Sequence, residues 1–448
     1  MMERELAKRD GGRPTRFVYD PEMPPGLLRV LLKELRISDY DTLLGAGRYH
    51  NMKDLMKFPV RRADLKFDKR EPLPHPVLDH SEGAMLDTVC KRDVVVHYPY
   101  QSFSHVLRLL REAAIHPEAR GIKMTLYRAA GNSQVVNALI NAARNGKNIF
   151  VSIELQARFD EENNIAISER LTEAGATVVF GLPPMKVHSK LILVDYGGRL
   201  VAGLSTGNFN EKTGDLYIDS TMFTTNKRMT RDVDEVFQFL ERASRMRMLK
   251  PPRFRELMVS PFNTRKTFMR LLRRERDKGA EGYVFIKANH LTDERIIDAI
   301  VEAADAGVQM DLVIRTTYAM LPHANIRAIS ILDRYLEHQR VYIFGRGESR
   351  TVYLSSADLM ERNLDWRVEA GFPVRDPQLA QEVCDMMQLQ VRDNVKARVL
   401  DQTQSNRYVP HEGDPTRAQD AIYAYLRDVA YRARQEHAAA ELQQVNSR

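Results

Sequence analysis

The chain of 448 residues has only two cysteines, Cys90 and Cys384, and it lacks any long apolar run. Two cysteines exclude a disulfide framework, and their wide separation lacks the spacing of a metal site. No apolar run approaches the ~20 residues that a membrane-spanning helix needs. The first ten residues are charged where a secretory signal would be apolar. These absences predict a cytoplasmic protein.

Basic residues exceed acidic residues, with a net charge of +7 and a pI of about 9.2. Much of the excess is arginine, which favours polyanionic partners because its guanidinium binds phosphate oxygens in pairs. The charge alone does not distinguish nucleic acid, nucleotide, polyphosphate or acidic lipid, and a solvated basic surface is the simpler alternative. The length and the 43% hydrophobic content are sufficient for two or three domains with large cores.

An internal repeat is visible in two helical segments. Val136 to Gly146 and Ile297 to Gly307 align at one offset, since 303 − 142 and 307 − 146 both give 161. An apolar strand follows each segment, at Ile149 to Leu155 and at Val308 to Ile314. A helix that ends at glycine and leads into a strand is typical of an α/β unit. The sequence therefore predicts an α/β protein with two duplicated halves.

The repeat continues into two histidines, each followed two positions later by a basic residue. His188 precedes Lys190 and His338 precedes Arg340, and 338 − 188 and 340 − 190 both give 150. The same offset relates Ser205-Thr-Gly-Asn208 to Ser355-Ser-Ala-Asp358. One deletion of about eleven residues between the two blocks explains the change of offset from 161 to 150.

The first histidine copy predicts a phosphoryl-transfer site. In a strand from His188 to Asp195, alternation would place His188 and Lys190 on one face. An imidazole with a pKa near ~6.5 is partly neutral, so one nitrogen can attack phosphorus while a partner holds the other. Fixed cations stabilise the charge that spreads over the phosphoryl oxygens in the transition state. The candidate cations are Lys190, Arg128, Arg158, Arg315 and Arg340.

The chain divides into three segments by pattern. Residues 1 to about 85 indicate a partial helical domain that ends in a proline-rich linker, Glu71 to Pro76. The strand and helix patterns place one α/β domain at 86–260 and the second at 261–448. From Asp414 to Arg448 the chain alternates alanine, arginine and glutamate, which predicts an exposed helix with a frayed end.

Eight longer motifs, in order along the chain, indicate a family. They are Asp93-Val-Val-Val-His97-Tyr-Pro-Tyr100, Lys123-Met-Thr-Leu-Tyr127-Arg128, Glu154-Leu-Gln-Ala-Arg158-Phe-Asp160-Glu161-Glu-Asn, Lys186-Val-His188-Ser-Lys190, Ser205-Thr-Gly-Asn208-Phe-Asn210-Glu-Lys212-Thr, Asp333-Arg-Tyr-Leu-Glu-His338, Val352-Tyr-Leu-Ser355-Ser356-Ala-Asp358 and Ser405-Asn-Arg-Tyr-Val-Pro410. The chain from about Arg16 to Pro410 resembles the larger, histidine-phosphorylated polyphosphate kinases. That resemblance implies two phospholipase D-like α/β domains after a partial helical domain.

The resemblance implies a role for each matching position. His188 resembles the nucleophile that takes the γ-phosphate of ATP as phosphohistidine and passes it reversibly to polyphosphate. Tyr217, Arg315 and His338 resemble nucleotide contacts, and His338 would also donate a proton or position phosphate, with Lys190 and Arg340 beside the histidines. Asn208, Asn210 and Lys212 would add donors and a charge near the phosphates.

Magnesium is implied as the cofactor, at a site to which the family resemblance assigns Arg128 and Arg158. A guanidinium has no lone pair to offer a cation, and Mg²⁺ prefers oxygen ligands. We therefore expect both arginines to hold phosphate oxygens beside the ion.

The resemblance also implies ATP, ADP and inorganic polyphosphate as partners, no specific nucleic acid, and a homo-oligomer, and it leaves peripheral membrane association open. The family's first domain is expected to be missing from this chain. Two other functions stay open: a phospholipase D-type phosphodiesterase, which would hydrolyse substrate without nucleotide, and a non-catalytic protein that binds polyanions. The second histidine copy lacks an aspartate at the matching spacing, which counts against the phosphodiesterase.

Overall fold

The computed structural model describes residues 16–38, 41–48, 55, 58–81, 83–127, 132–154, 161–182, 185–245, 250–411 and 413–446. The chain forms two compact units, Met1–Arg70 and Glu71–Arg448. The domain boundaries near residues 85 and 260 stay predictions.

In the part of the first unit that the structure describes, there is one short parallel strand pair and one helix. Strand β1 (Arg16–Tyr19) pairs with β2 (Thr42–Gly45), and helix α1 (Pro25–Glu34) lies between them in sequence. Pro25 stands at the first helical position, where its missing N–H removes no hydrogen bond. A 3₁₀ turn follows at Ala63–Leu65.

The first half of the second unit contains eight strands and six helices among the residues that the structure describes. The strands are β3 (Val94–Tyr98), β4 (Ala119–Leu126), β5 (Asn148–Ile153), β6 (Thr177–Phe180), β7 (Lys186–Val187), β8 (Lys190–Tyr196), β9 (Arg199–Ser205) and β10 (Tyr217–Thr224). The helices are α2 (Met85–Lys91), α3 (Ser104–Ile115), α4 (Gln134–Arg144), α5 (Glu161–Glu173), α6 (Glu211–Gly214) and α7 (Lys227–Arg245).

The second half repeats this organisation. Its strands are β11 (Met258–Ser260), β12 (Tyr283–Leu291), β13 (Gln309–Tyr318), β14 (Ile326–Ile331), β15 (Leu336–Glu337), β16 (Arg340–Phe344), β17 (Thr351–Ser355), β18 (Arg367–Pro373) and β19 (Ala397–Val399). Its helices are α8 (Thr264–Arg276), α9 (Glu294–Asp305), α10 (Glu361–Asp365), α11 (Pro377–Val391) and α12 (Ala418–Asn446), with 3₁₀ turns at Gly279–Glu281 and Gly347–Ser349.

The two predicted repeat helices have matching ends. The Ser133 side chain accepts the Val136 N–H at the start of α4, and Asp293 accepts the Ile296 N–H at the start of α9. Gly146 and Gly307 follow the two helices with φ of +77° and +101°, a backbone conformation that glycine adopts without steric cost. The predicted α/β fold with two duplicated halves is confirmed.

Each half contributes one short strand to the other half's sheet. β15 adds to β10 with Tyr217 opposite Leu336, and β7 adds to β18 with Arg367 opposite Lys186. These pairings are related by the repeat, since 367 − 217 and 336 − 186 both give 150. The exchange brings the segments after β7 and β15, which contain His188 and His338, to the opposite halves.

The described residues of the second unit form three apolar cores. One lies under α3 and α4 in the first half, one lies under α8 and α9 in the second half, and a third combines both sheets with α7, α11 and α12. The expectation that the last helix is exposed is wrong for its first part. Ala418, Ile422, Leu426 and Ala430 recur every fourth residue, are buried, and face the rest of the unit. No helix among the described residues is long and apolar enough to cross a membrane.

Candidate active site

His188 lies between two strands, so the prediction of one continuous strand from His188 to Asp195 is wrong at its start. β7 ends at Val187 and β8 begins at Lys190. The N–H groups of His188 and Ser189 both donate to the carbonyl oxygen of Val368, at 2.9 and 2.8 Å. The second half therefore fixes the backbone that carries the first histidine.

The carboxylate that holds His188 also comes from the second half. Both oxygens of Glu369 lie 2.9 Å from Nδ1 of His188. Glu369 in turn accepts hydrogen bonds from the Asn363 amide and the Ser356 hydroxyl, at 2.7 and 2.5 Å. A carboxylate with three partners has little freedom to rotate, so the orientation of the His188 ring is well determined.

His338 has the mirrored arrangement. Nδ1 of His338 lies 2.7 and 3.0 Å from the two oxygens of Asp219, which belongs to the first half. The Thr206 hydroxyl donates to Asp219 at 2.7 Å. A Cβ atom at Gly207 would lie 2.1 Å from the Asp219 carboxylate, so glycine at this position allows the carboxylate to reach His338.

The two basic residues of the repeat have different partners. The Lys190 ammonium donates to the carbonyl oxygen of His188, and Lys190 has no ion pair among the residues that the structure describes. Arg340 also donates to the carbonyl of its histidine, at 2.7 Å, and it pairs with Asp358 through two N–H groups at 3.1 and 2.9 Å. The position equivalent to Asp358 in the first half is Asn208, because 358 − 208 gives 150.

The pKa shifts make both imidazoles neutral near pH 7. Burial lowers the pKa of His188 to about 3, against the opposing effect of Glu369, and burial also lowers the pKa of His338. Burial raises the pKa of Asp219 and Glu369, but hydrogen bonds and nearby basic groups together outweigh burial, and the pKa of each carboxyl lies below its usual range. Each Nδ1 therefore donates its hydrogen to a carboxylate, which leaves a lone pair on each Nε2.

The two halves form one electrostatic centre. Burial lowers the pKa of Lys190 to about 7; Glu369 opposes this shift, and the charge of Arg340 from the other half adds to it. Burial and Arg340 also lower the pKa of Arg315, whose guanidinium donates to the carbonyl oxygen of Glu337 at 3.0 Å. Lys190, Arg315 and Arg340 thus provide a concentration of positive charge beside two neutral histidines.

An aromatic ring contacts each histidine. The Tyr217 and His338 ring centroids are 5.3 Å apart, and those of Tyr127 and His188 are 4.8 Å apart in an edge arrangement. The Lys190 ammonium lies 5.6 Å from the centre of the Tyr127 ring. The structure therefore places Tyr217 at the predicted centre and adds Tyr127, whose role the sequence did not indicate.

The predicted polar residues near the phosphates differ in their surroundings. Oδ1 of Asn208 is buried and accepts no hydrogen bond from the residues described. The Asn210 side chain caps the short helix α6 by accepting the N–H groups of Lys212 and Thr213. The side chain of Lys212 is exposed. Phosphate binding by these residues stays a prediction, and Arg128 and Arg158 lie outside the described residues.

Sequence reasoning did not single out Asp219 and Glu369. Asp195, the aspartate of the first motif, lies near the far end of β8, and the partner of His188 is Glu369. The repeat offset contained the signal, because Tyr217-Ile-Asp219 and Arg367-Val-Glu369 align at 369 − 219, which gives 150. Both segments follow a short helix and begin a strand, so the matched acids were recognisable as a pair.

Family models cover most of the chain. The polyphosphate kinase middle domain matches residues 1–58, C-terminal domain 1 matches 84–246, and C-terminal domain 2 matches 257–419.

Individual relatives agree with these matches. Polyphosphate kinase of Escherichia coli (strain K12) is 43% identical over 444 residues, which are 96% of this chain and 64% of that protein. Polyphosphate kinase of Vibrio vulnificus (strain YJ016) is 40% identical over 455 residues, 98% of this chain and 64% of that protein. The crystal structure of polyphosphate kinase from Porphyromonas gingivalis superposes with a TM-score of 0.84 at 37% identity, covering 94% of this chain and 65% of that chain. The chain thus spans slightly less than two thirds of the length of these relatives.

Proposed function

Because the chain belongs to the polyphosphate kinase family, we propose that it transfers the γ-phosphoryl group of ATP reversibly to inorganic polyphosphate through a phosphohistidine at His188. The observation that carries this proposal is the contact of Glu369 with Nδ1 of a neutral His188 at 2.9 Å. That contact directs the free lone pair of Nε2 outward as a nucleophile, without a prior proton transfer.

In the first step the Nε2 lone pair of His188 forms a bond to the γ-phosphorus. The bond between that phosphorus and the bridging oxygen breaks, and its electron pair leaves with ADP. In the second step a terminal oxygen of polyphosphate attacks the phosphohistidine, and the N–P electron pair returns to Nε2. The Nδ1 hydrogen stays between His188 and Glu369 throughout, where the carboxylate stabilises the positive charge that develops on the ring.

The cations supply the remaining stabilisation. Lys190, Arg315 and Arg340 are fixed by contacts with backbone carbonyl oxygens, so their charges need little reorganisation when the transferring group becomes planar. His338 is neutral in the free protein and has no hydrogen on Nε2. We propose that it positions phosphate, and that it donates a proton only after the phosphate charge raises its pKa.

The central residues do not fit a resident magnesium ion. Among the described residues, no group of three histidine, cysteine, aspartate or glutamate side chains could hold a metal. The nearby carboxylates of Asp219, Asp358 and Glu369 are already engaged with His338, Arg340 and His188. Magnesium therefore enters this proposal with the nucleotide, as part of the substrate. A homo-oligomeric state and peripheral membrane association stay predictions.

A direct assay separates the candidate functions. The purified chain is incubated with Mg²⁺ and ATP, or with ADP and polyphosphate, and the products are compared with hydrolysis of a nucleotide-free phosphodiester. We expect polyphosphate from ATP and ATP from ADP, with both lost in His188→Ala and retained in His116→Ala, a histidine that contacts Tyr196. Diester hydrolysis without nucleotide would identify a phosphodiesterase, and salt-sensitive polyanion binding without turnover would identify a binding protein.

A further inference from the structure

A chain of buried hydrogen bonds runs behind His338. The Gln339 amide donates to the Ser220 hydroxyl oxygen at 2.6 Å, and that oxygen lies 2.7 Å from Nδ1 of His97. Nε2 of His97 lies 3.1 Å from the carboxylate of Glu382 on α11. A carboxylate only accepts, so the Nε2–H of His97 donates to Glu382, and in that tautomer Nδ1 of His97 accepts the hydrogen of the Ser220 hydroxyl. We call these four residues the relay.

The relay connects the segment that contains His338 with the segment that contains its partner Asp219. Gln339 follows His338, and Ser220 follows Asp219 in β10, so their side chains leave the chain on the side away from the catalytic centre. Three relay residues, Gln339, Ser220 and His97, are at most 1% exposed. Glu382 is 15% exposed and borders a cleft of about 750 Å³.

The duplicated half shows that the fold does not need the relay. In the sheet register His97 pairs with Ser220, and the equivalent pair is Val259 with Ala370. The residue equivalent to Gln339 is Ser189, whose hydroxyl has no hydrogen-bond partner among the described residues. The same sheet position is thus apolar behind His188 and polar behind His338.

The two histidine carboxylates also differ in their support. Glu369 accepts hydrogen bonds from both Ser356 and Asn363, whereas Thr206 is the one side-chain donor to Asp219, apart from His338, among the contacts described. Buried polar groups cost free energy unless they are satisfied, so a relay behind the less supported pair calls for a specific role.

We propose that the relay of Gln339, Ser220, His97 and Glu382 positions His338 for phosphoryl transfer. The motif Asp93-Val-Val-Val-His97-Tyr-Pro-Tyr100 thereby acquires a function through His97. This inference rests on the proposed function, because positioning of His338 matters to catalysis only if His338 acts on the transferring phosphate.

The test replaces His97 and Ser220, the two central residues of the relay, by the equivalent residues of the other half. The double variant His97→Val, Ser220→Ala introduces the side chains of Val259 and Ala370, which the duplicated sheet already accommodates. We expect it to fold but to melt below the parent, because the buried Gln339 amide loses its acceptor. We expect kcat to fall about 10-fold or more, because small displacements of a catalytic group are costly. The matched control is His105→Gln, which removes another buried histidine, one that contacts Asp79 and not the relay.

A second readout does not depend on turnover. The Nδ1–H of His338, held by Asp219, is followed by NMR in histidine-labelled protein and identified by its loss in His338→Gln. We expect this signal to shift or broaden in the double variant and to stay unchanged in His105→Gln. If the parent makes no polyphosphate, the proposed function fails, and the NMR signal still tests the relay.

A folded double variant with parental kcat and an unchanged His338 signal would overturn the proposal. If the double variant does not fold, Glu382→Gln decides, because its side chain lies at the cleft and its loss leaves the inner residues in place. A lower kcat with a changed His338 signal supports the relay, whereas no change in both overturns it.

Discussion

In the candidate active site the first half provides His188, Lys190 and Asn208, and the second half provides His338, Arg340 and Asp358 in equivalent positions. Asp358 neutralises Arg340 through two direct contacts, whereas the equivalent Asn208 leaves Lys190 without such a partner. Burial accordingly lowers the pKa of Lys190 to about 7, while Asp358 and other nearby carboxylates together outweigh burial and raise the pKa of Arg340. The equivalent positions Asn208 and Asp358 thus differ in effect. The protonation of Lys190 near His188 responds to pH near 7, whereas Arg340 near His338 stays charged and paired.

This difference indicates a division of labour after duplication. A fixed charge that has no carboxylate partner is fully available to a phosphate at the nucleophile, so the Lys190 side suits covalent catalysis. An arginine locked to an aspartate keeps its geometry, so the Arg340 side suits binding and orientation. The comparison supports our proposal that His188 carries the phosphoryl group, and the following changes test that proposal.

The largest expected effects come from the histidines. His188→Gln should reduce turnover about 10⁴-fold or more, because it removes the nucleophile. His338→Gln should reduce turnover about 10²–10⁴-fold, the range for a positioned acid or base. Rates of ATP formation from ADP and polyphosphate measure both. Equal residual activity in the two variants would remove the distinction between the halves.

The next effects come from the two carboxylates that each half contributes to the histidine of the other half. Glu369→Gln and Asp219→Asn keep the size of each side chain but remove the charge that holds Nδ1–H and stabilises a cationic ring. We expect kcat losses of about 10²–10⁴-fold for Glu369→Gln, by analogy with other histidine-orienting carboxylates, and smaller losses for Asp219→Asn. Single-turnover kinetics separate formation of the phosphoenzyme from its decay. A larger loss in Asp219→Asn would reverse the assignment of the nucleophilic half.

The cation pairs can be exchanged between the halves. Asp358→Asn leaves the Arg340 charge buried without its partner and should cost about 3–5 kcal/mol of unfolding free energy. Asn208→Asp should instead provide Lys190 with a carboxylate, raise its pKa and lower turnover about 10-fold, through loss of about 1.4 kcal/mol of transition-state stabilisation. Urea denaturation and steady-state rates measure the two effects. An undiminished stability in Asp358→Asn would contradict the account of Arg340 as a fixed pair.

The smallest effect concerns proton uptake by Lys190. Its pKa is lowered to about 7 in the free protein, so above that pH the amine is largely neutral. A bound phosphate chain favours the ammonium, so binding at pH 8.5 should take up close to one proton, and affinity should fall as the pH rises. Calorimetry with tripolyphosphate in buffers of different ionisation enthalpy measures the uptake, with Lys190→Met as the reference. Equal uptake by both proteins would exclude Lys190 as the group.

The linear sequence was sufficient for the elements that depend on local pattern. The repeat offset located His188, His338, Lys190 and Arg340, and periodicity located the helices that end near Gly146 and Gly307. It did not locate the partners, because Glu369 lies 181 residues from His188 and Asp219 lies 119 residues from His338. Those contacts arise only when β7 and β15 exchange between the halves.

Two further errors have the same physical origin. The break between β7 and β8 at His188 follows from hydrogen bonds to Val368, which the local alternation of residues does not reveal. The last helix was expected to be exposed because its composition is polar. Its buried residues are mostly small or widely spaced, and Gln419 donates to Glu337 beside His338 at 2.9 Å. In both cases the surface that completes the element is distant in sequence.

The most direct test of the account is the chemistry of the labelled protein. The purified chain is incubated with Mg²⁺ and γ-labelled ATP, and the label is examined in the parent, His188→Ala and His338→Ala. We predict an acid-labile, base-stable label that is absent from His188→Ala and formed, at a reduced rate, in His338→Ala. A label that persists in His188→Ala and is lost in His338→Ala would contradict the central claim.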